Sequence, residues 1–242
     1  RDAGAPAGGT SRDRSMSVNK KFDELQPSDL PAPPRATARI VQACSNPEVD
    51  ARELAEIVAS DPLLTAEILR TANSAFMGLQ RKVRSAAHAV AVLGTRALRN
   101  IALCIAVRDA VKPDEIPGFD ILEYWEDAIR RAVSARILAD GMKVDPDDAF
   151  TVGLLQDFGL LALFFGMPEY AEHWKALRGA QPEERRVLEE DVFGATHDRV
   201  GLILARNWTL PGDIAIPIAC HHKSDLGGVP EELRKMCYIV LF

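Results

Sequence analysis

The sequence predicts an all-α protein built as two helical lobes, an N-terminal helical bundle followed by a longer-helixed second half. Three observations carry this expectation. Apolar residues recur at spacings of three and four almost everywhere after Phe22. No convincing alternation of apolar and polar residues marks a strand, and no Asn-Gly or Asp-Gly pair lies between two strand-like runs. Short helices with tight turns fill residues 25–113, and longer helices fill residues 114–242.

The elements follow in order. Residues 1–24 read as a flexible linker, most clearly to Lys21, because glycine, alanine, serine and charge replace apolar periodicity there. Pro33 and Pro34 open a helix carrying Ile40, Val41 and Cys44. Asp50 caps the next, with Leu54, Ile57 and Val58 inward. Asp61 followed by Pro62 is an N-cap with proline at the first helical position, starting a helix with Leu64, Ile68, Leu69 and Ala72. Ser85 caps a short helix holding His88, Val92 and Leu93, which Gly94 ends; Thr95 begins a longer one through Ala97, Ile101, Cys104 and Ile105. Lys112-Pro113-Asp114 breaks it and marks the boundary between lobes.

In the second lobe, Leu122, Trp125, Ile129, Val133 and Ile137 step by three or four along one face of a helix ending at Gly141. A very apolar helix is expected from Asp147 to about Phe165. Pro168 opens a segment through Trp174, and Pro182 another to Phe193. Thr196 is placed to cap a helix with His197, Gly201, Leu204 and Trp208. After Pro211 a stretch runs through Ile214, Ile218, His221 and His222; Pro217 either falls in the first turn of a helix starting near Asp213 or kinks a longer one.

The 242 residues are 47% apolar and 26% charged, with a net charge of −6. A chain of this size buries roughly 70% of its unfolded surface, so it needs neither disulfide nor metal to hold a core. The acidic balance argues against gripping nucleic-acid phosphates. The four cysteines lack metal-type spacing and read as buried thiols in a reducing compartment. The longest apolar run, Leu160–Phe165, is far short of a membrane span, and no secretory leader is evident, so a cytoplasmic protein is expected. A start at Arg1 and a stop inside Ile239–Phe242 suggest an excerpt of a longer chain.

Asp157 is the most unusual residue, because it falls on the apolar stripe of Phe150, Leu154, Phe158 and Leu161. A carboxylate there must bind a metal, pair with an arginine or cap a neighbouring helix. His197, His221 and His222 cluster in one short region and face inward or border the inward face. Imidazoles and a carboxylate on separate helices suit one zinc, manganese or iron ion; a single inward histidine is more often a hydrogen-bonded core group, and adjacent histidines at a helix C-terminus also interact with its dipole. Phosphate-binding loops, dinucleotide-binding glycine motifs and nucleophile elbows are absent.

Several segments resemble the HDOD domain, an HD-related output domain of bacterial signalling. They are Leu30-Pro31-Ala32-Pro33-Pro34, residues 55–64 and 68–75, Ala87 to Gly94, Gly153 to Gly159, Phe193-Gly194-Ala195-Thr196-His197, Trp208-Thr209-Leu210-Pro211 and His221-His222. They occur in the family's order and span roughly Leu25 to Phe242. The resemblance implies an all-helical fold whose second lobe is similar to the HD metal-dependent phosphohydrolases. It also implies a regulatory, non-catalytic role through contacts with other signalling proteins or domains.

Against the HD metal site the chain departs in a definite way. Asp127 stands where the first histidine would be, and Gln156-Asp157 replaces the His-Asp pair. His197 and His221-His222 match later histidines, while the last aspartate would fall beyond Phe242. Residues 223–230 are only loosely similar to the loop of the cyclic-di-GMP-cleaving HD-GYP proteins, with Lys223 in place of glutamate and Val229 in place of tyrosine. Asp157, His197, His221 and His222 would hold at most one ion. The rival readings are a degenerate metal-dependent phosphohydrolase, with Asp127 as a substitute ligand, and a nucleotide-binding sensor using Arg130, Arg131 or Arg199.

Overall fold

The computed structural model describes residues 21–46, 48–112 and 116–241, and among these there is no strand. In the first lobe α1 (Arg35–Cys44), α2 (Ala51–Ala59) and α3 (Pro62–Ala72) pack on α4 (Ala86–Ala110). The caps fall where the sequence places them. Asp50 accepts from the Arg52 amide, Asp61 from the amides of Leu63 and Leu64, and Ser85 from that of His88. Gly94 (φ 72°, ψ 176°) interrupts α4, in a conformation open in practice only to glycine.

Of the expected linker, residues 1–20 lie outside the described ones. Phe22–Glu24 form a 3-10 turn, Phe22 is buried, and the Lys21 ammonium donates to the carbonyls of Asp191 and Val192. The break expected at Pro113-Asp114 also lies outside the described residues.

The second lobe contains α5 (Ile121–Met142), α6 (Pro146–Leu155), α7 (Phe158–Gly166), α8 (Trp174–Gly179), α9 (Pro182–Phe193), α10 (His197–Asn207), α11 (Gly212–Cys220) and α12 (Glu231–Ile239). α11 begins right after Pro211, so Pro217 sits inside it, past the first turn. One large hydrophobic cluster runs through both lobes, with two small ones beside it, around Leu226 and around Ala128. Arg99 of α4 reaches Asp213 of α11 at 3.0 Å, and Asn100 donates to Asp148 of α6 at 2.8 Å. The Trp208 indole donates to the Pro31 carbonyl at 3.0 Å, tying the entry of the first lobe to the second.

Three expectations need correction. The stepping face of α5 is not the buried one: Leu122, Ile129, Val133 and Ile137 are exposed, and Ala128, Ala132, Ala135 and Ala139 face the core. The reason is close packing. α6 presses Gly153 against α5, where an added Cβ would meet Ala135 Cβ at 2.9 Å and the Ala132 Cα at 3.0 Å. Only a face of small residues admits that approach.

The second correction concerns the apolar helix expected from Asp147. It begins at Pro146, capped by Asp145, and breaks at Gln156-Asp157, with α7 restarting at Phe158. The break turns the Asp157 carboxylate out of the apolar stripe and toward the histidines. Third, the Thr196 side chain makes no capping bond to α10; Glu189 accepts from the His197 amide instead, at 2.9 Å.

All four cysteines are free thiols; Cys220 and Cys237 are buried, Cys44 and Cys104 half-buried. Residues 86–110 and 146–166 are long and apolar enough to cross a membrane by length and composition, but 83% of the most apolar stretch of the second is buried within the fold.

α7 crosses α10 at Gly159 and Gly201. A Cβ on Gly159 would run into the His197 carbonyl oxygen and the Gly201 nitrogen. Gly159→Ala is therefore expected to cost about 3 kcal/mol or more by overpacking against backbone. Gly141→Ala, in a helical turn with nothing near its Cβ, is expected to stabilise by about 0.5 kcal/mol. Urea unfolding of the two variants beside the parent chain checks both signs.

Candidate metal centre

Four elements deliver one cluster. Asp157 comes from the break between α6 and α7, His197 from the first position of α10, and His221 and His222 from the residues just past α11. His197 and His221 are fully buried and Asp157 is nearly so, while His222 is half-buried on the outer side.

The reactive atoms converge. His197 Nε2 lies 2.9 Å from His221 Nε2 and 3.0 Å from His222 Nε2. Asp157 Oδ1 stands 3.4 Å from His197 Nε2 and 3.3 Å from His221 Nε2. Neighbouring ligands of a tetrahedral zinc, with bonds of about 2.0–2.1 Å, are separated by about 3.3 Å. Two sides of the Asp157–His197–His221 triangle have that length, and the third, at 2.9 Å, is shorter.

Proton placement makes the triangle more telling. His197 Nδ1 faces the Glu189 carboxylate at 2.6 and 2.7 Å, and His221 Nδ1 faces the Ile218 carbonyl at 2.6 Å. Both outer nitrogens must therefore donate, which in a neutral ring leaves a lone pair on each Nε2. Those two lone pairs and a carboxylate oxygen point at one spot. Such a set repels itself unless a cation lies between its members: a metal ion, or a proton on one ring. The carboxylate and carbonyl partners behind the rings are the usual support of metal-binding histidines. His197, His221 and His222 bring their ligand atoms within 4.8 Å of one another, a set that fits one divalent ion, with Asp157 beside the two buried rings.

Charge around the cluster is tightly paired. Asp157 Oδ2 accepts ion pairs from Arg131 and Arg185, each at 3.2 Å, and Arg185 Nε reaches Glu189 Oε1 at 3.1 Å. Burial alone would raise the Asp157 carboxyl, but Arg131 and Arg185 hold it well below the usual carboxylate range. Burial lowers His221, and burial together with the neighbouring rings lowers His222 to about 3, so both are neutral imidazoles ready to ligate near neutral pH.

The remaining candidates lie elsewhere. Asp127 does not join the histidines; Arg178 grips its carboxylate at 2.7 and 3.3 Å and Arg130 at 3.0 Å, and the Arg178 hydrogen bond, with charges nearby, lowers its pKa. Its place on α5 puts it beside α8, where an arginine meets it. Gln156 is buried, and its amide nitrogen finds no hydrogen-bond partner among the described residues. Of the arginines considered for phosphate, Arg130 pairs with Asp127, Arg199 with Asp23 at 3.5 Å, and Arg131 serves Asp157.

The sequence does not single out Glu189 and Arg185: their i,i+4 spacing in Pro182–Phe193 is ordinary for a charged helix, and nothing in it separates a buried pair from an exposed one.

The HDOD domain family model matches residues 30–224. The chain belongs to the HDOD family. A candidate phosphohydrolase from Shewanella amazonensis SB2B is similar in structure, with 27% identity over 88% of this chain and 75% of its own and a TM-score of 0.69. A candidate signal transduction protein from Marinobacter aquaeolei VT8 is also 27% identical, with a TM-score of 0.66, covering 88% of this chain and 48% of that one. An uncharacterized protein of Treponema pallidum (strain Nichols) is 24% identical over 216 residues, 88% of this HDOD chain and 41% of the relative. The HDOD chain thus spans less than half the length of the curated relative it matches.

Glu189→Ala is expected to destabilise the domain by about 3 kcal/mol or more, since it strips partners from the His197 amide, the His197 ring and Arg185 at once. Asp127→Ala, which breaks only partly solvated pairs, is expected to cost about 1 kcal/mol or less. Guanidinium unfolding midpoints of the two variants measure the contrast.

Proposed function

We propose that this HDOD domain is a non-catalytic signalling module whose HD-derived cluster holds one divalent ion of the zinc, manganese or iron type as a buried structural centre. The observation that carries this reading is the direction of the donors. Asp157 Oδ1, His197 Nε2 and His221 Nε2 close one face, and His222 Nε2 stands 3.0 Å from His197 on the open side. Catalytic sites keep a position for water, whereas sites filled by protein donors are structural.

The second oxygen of Asp157, which in a two-ion site would meet another metal, is held by Arg131 and Arg185. Gln156 stands in place of a ligand imidazole. Two ions are disfavoured on both counts, and with them the two-ion clamp of phosphodiester hydrolysis. The bound ion would supply fixed positive charge between the lone pairs. The chain's own residues orient the rings through Glu189 and Ile218, exclude water and neutralise Asp157.

A role through contacts with other signalling proteins or domains is supported by family membership and by the signal-transduction relative. It is also supported by the row of large aliphatic side chains on the outer face of α5, since monomeric proteins rarely leave so long an apolar strip uncovered.

Elemental analysis of the full chain is expected to find one ion per molecule, absent in His197→Ala. Its removal by chelator is expected to lower Tm by about 5–10 °C. No hydrolysis of cyclic dinucleotides or nucleotides is expected. Absence of metal after loading with zinc, manganese or ferrous iron would overturn the metal assignment. Turnover that disappears in Asp157→Ala would overturn the non-catalytic one.

A further inference from the structure

A cavity of about 320 Å³ lies between the lobes. Its walls are α3 with the turn after it, α4, and the side of α6, so each lobe contributes part of the lining. The deep surfaces are aliphatic and aromatic: Ile101 and Ile105 from α4, Phe150 and Leu154 from α6, and Met77 from the turn. This volume has room for a ligand of about 15 to 20 non-hydrogen atoms, within the range of small-molecule sites.

The polar groups decide the ligand's chemistry. Inside, Asn100 is already hydrogen-bonded to Arg99 and Asp148, and the Thr151 hydroxyl donates to the Asp147 carbonyl at 2.9 Å. Neither seeks a partner from a guest. At the rim, Arg108 is neutralised by Asp109 at 2.7 Å and Glu67 at 2.9 Å, and Asp147 by Arg136 at 3.3 Å. Among the described residues no uncompensated charge faces the cavity, so a phosphate or carboxylate ligand finds no counter-ion there. The half-buried hydroxyls of Thr71 and Ser74 remain at the mouth, with Ser74 donating to the Thr71 carbonyl and so still able to accept.

We propose that this inter-lobe cavity binds a small, uncharged, largely apolar molecule carrying one hydrogen-bonding group that sits at the Thr71–Ser74 edge. The site is separate from the histidine cluster, which lies past the C-terminal end of α6, and it does not depend on metal there. A guest would touch α3 and α4 on one side and α6 on the other, making the contact between lobes sensitive to its presence.

The probe for a test is the neutral fluorophore N-phenyl-1-naphthylamine, titrated into the full chain. Saturable enhancement at one probe per molecule is expected. Ala97→Phe, which drives a ring into the cavity, is expected to weaken Kd at least tenfold while the protein stays folded by circular dichroism. Should that variant fail to fold, Thr71→Trp at the half-buried rim takes its place with the same expectation. Ile137→Ser, on the exposed face of α5, is expected to leave Kd unchanged. Absence of saturable binding, or binding weakened by Ile137→Ser and not by the folded cavity variant, overturns the proposal.

Discussion

Two imidazole rings whose outer nitrogens are both committed as donors turn their remaining lone pairs toward each other, and the second lobe is arranged around that fact. His197 cannot relax by flipping its tautomer, because Glu189 holds both its Nδ1 and its backbone amide. His221 is held in the same way by the Ile218 carbonyl. Glu189 in turn is fixed by Arg185, and Arg185 reaches Asp157, which returns to the two rings. The circuit links α9, α10, the end of α11 and the junction of α6 and α7. Moving any one of these elements would expose a buried charge.

Backbone proximity makes the circuit feasible. Gly159 lets α7 and α10 cross at a distance no side chain would permit, which sets the start of α10, and so His197, beside Asp157; Gly201 in turn leaves room for Ile218 of α11, where an added Cβ would meet its Cγ2 at 2.9 Å. Gly153 does the same between α6 and α5, bringing Arg131 within reach of the carboxylate. The cluster's geometry thus rests on three missing side chains as much as on the residues that form it.

Much of the architecture was legible from local chemistry. Asp50, Asp61 and Ser85 announce helix starts because their side chains satisfy amides within two or three residues, and Gly94 announces a stop because the backbone there demands it. The inward turn of His197 followed from periodicity, and the odd polarity of Asp157 marked it. What sequence could not show depends on distance in space. Glu189 and Arg185 look like members of a charged surface helix until α10 is laid against them. Asp127 looks like a ligand until α8 brings Arg178 beside it. The face of α5 was misjudged for the same reason: large apolar residues at helical spacing normally point inward, and only the tight approach of α6 reverses the preference.

That reversal has a consequence for how the chain can change over time. In most helices the large aliphatic positions are the intolerant ones and the small positions drift. On α5 the order is inverted. Ala128, Ala132, Ala135 and Ala139 are buried, and Ala132 and Ala135 lie tight against Gly153 of α6, whereas Leu122, Ile129, Val133 and Ile137 are exposed and are expected to vary without disturbing the fold. Members of a lineage descending from this domain would keep a ladder of alanines and alter the outer residues. The outward aliphatics would persist only where something other than folding selects for them.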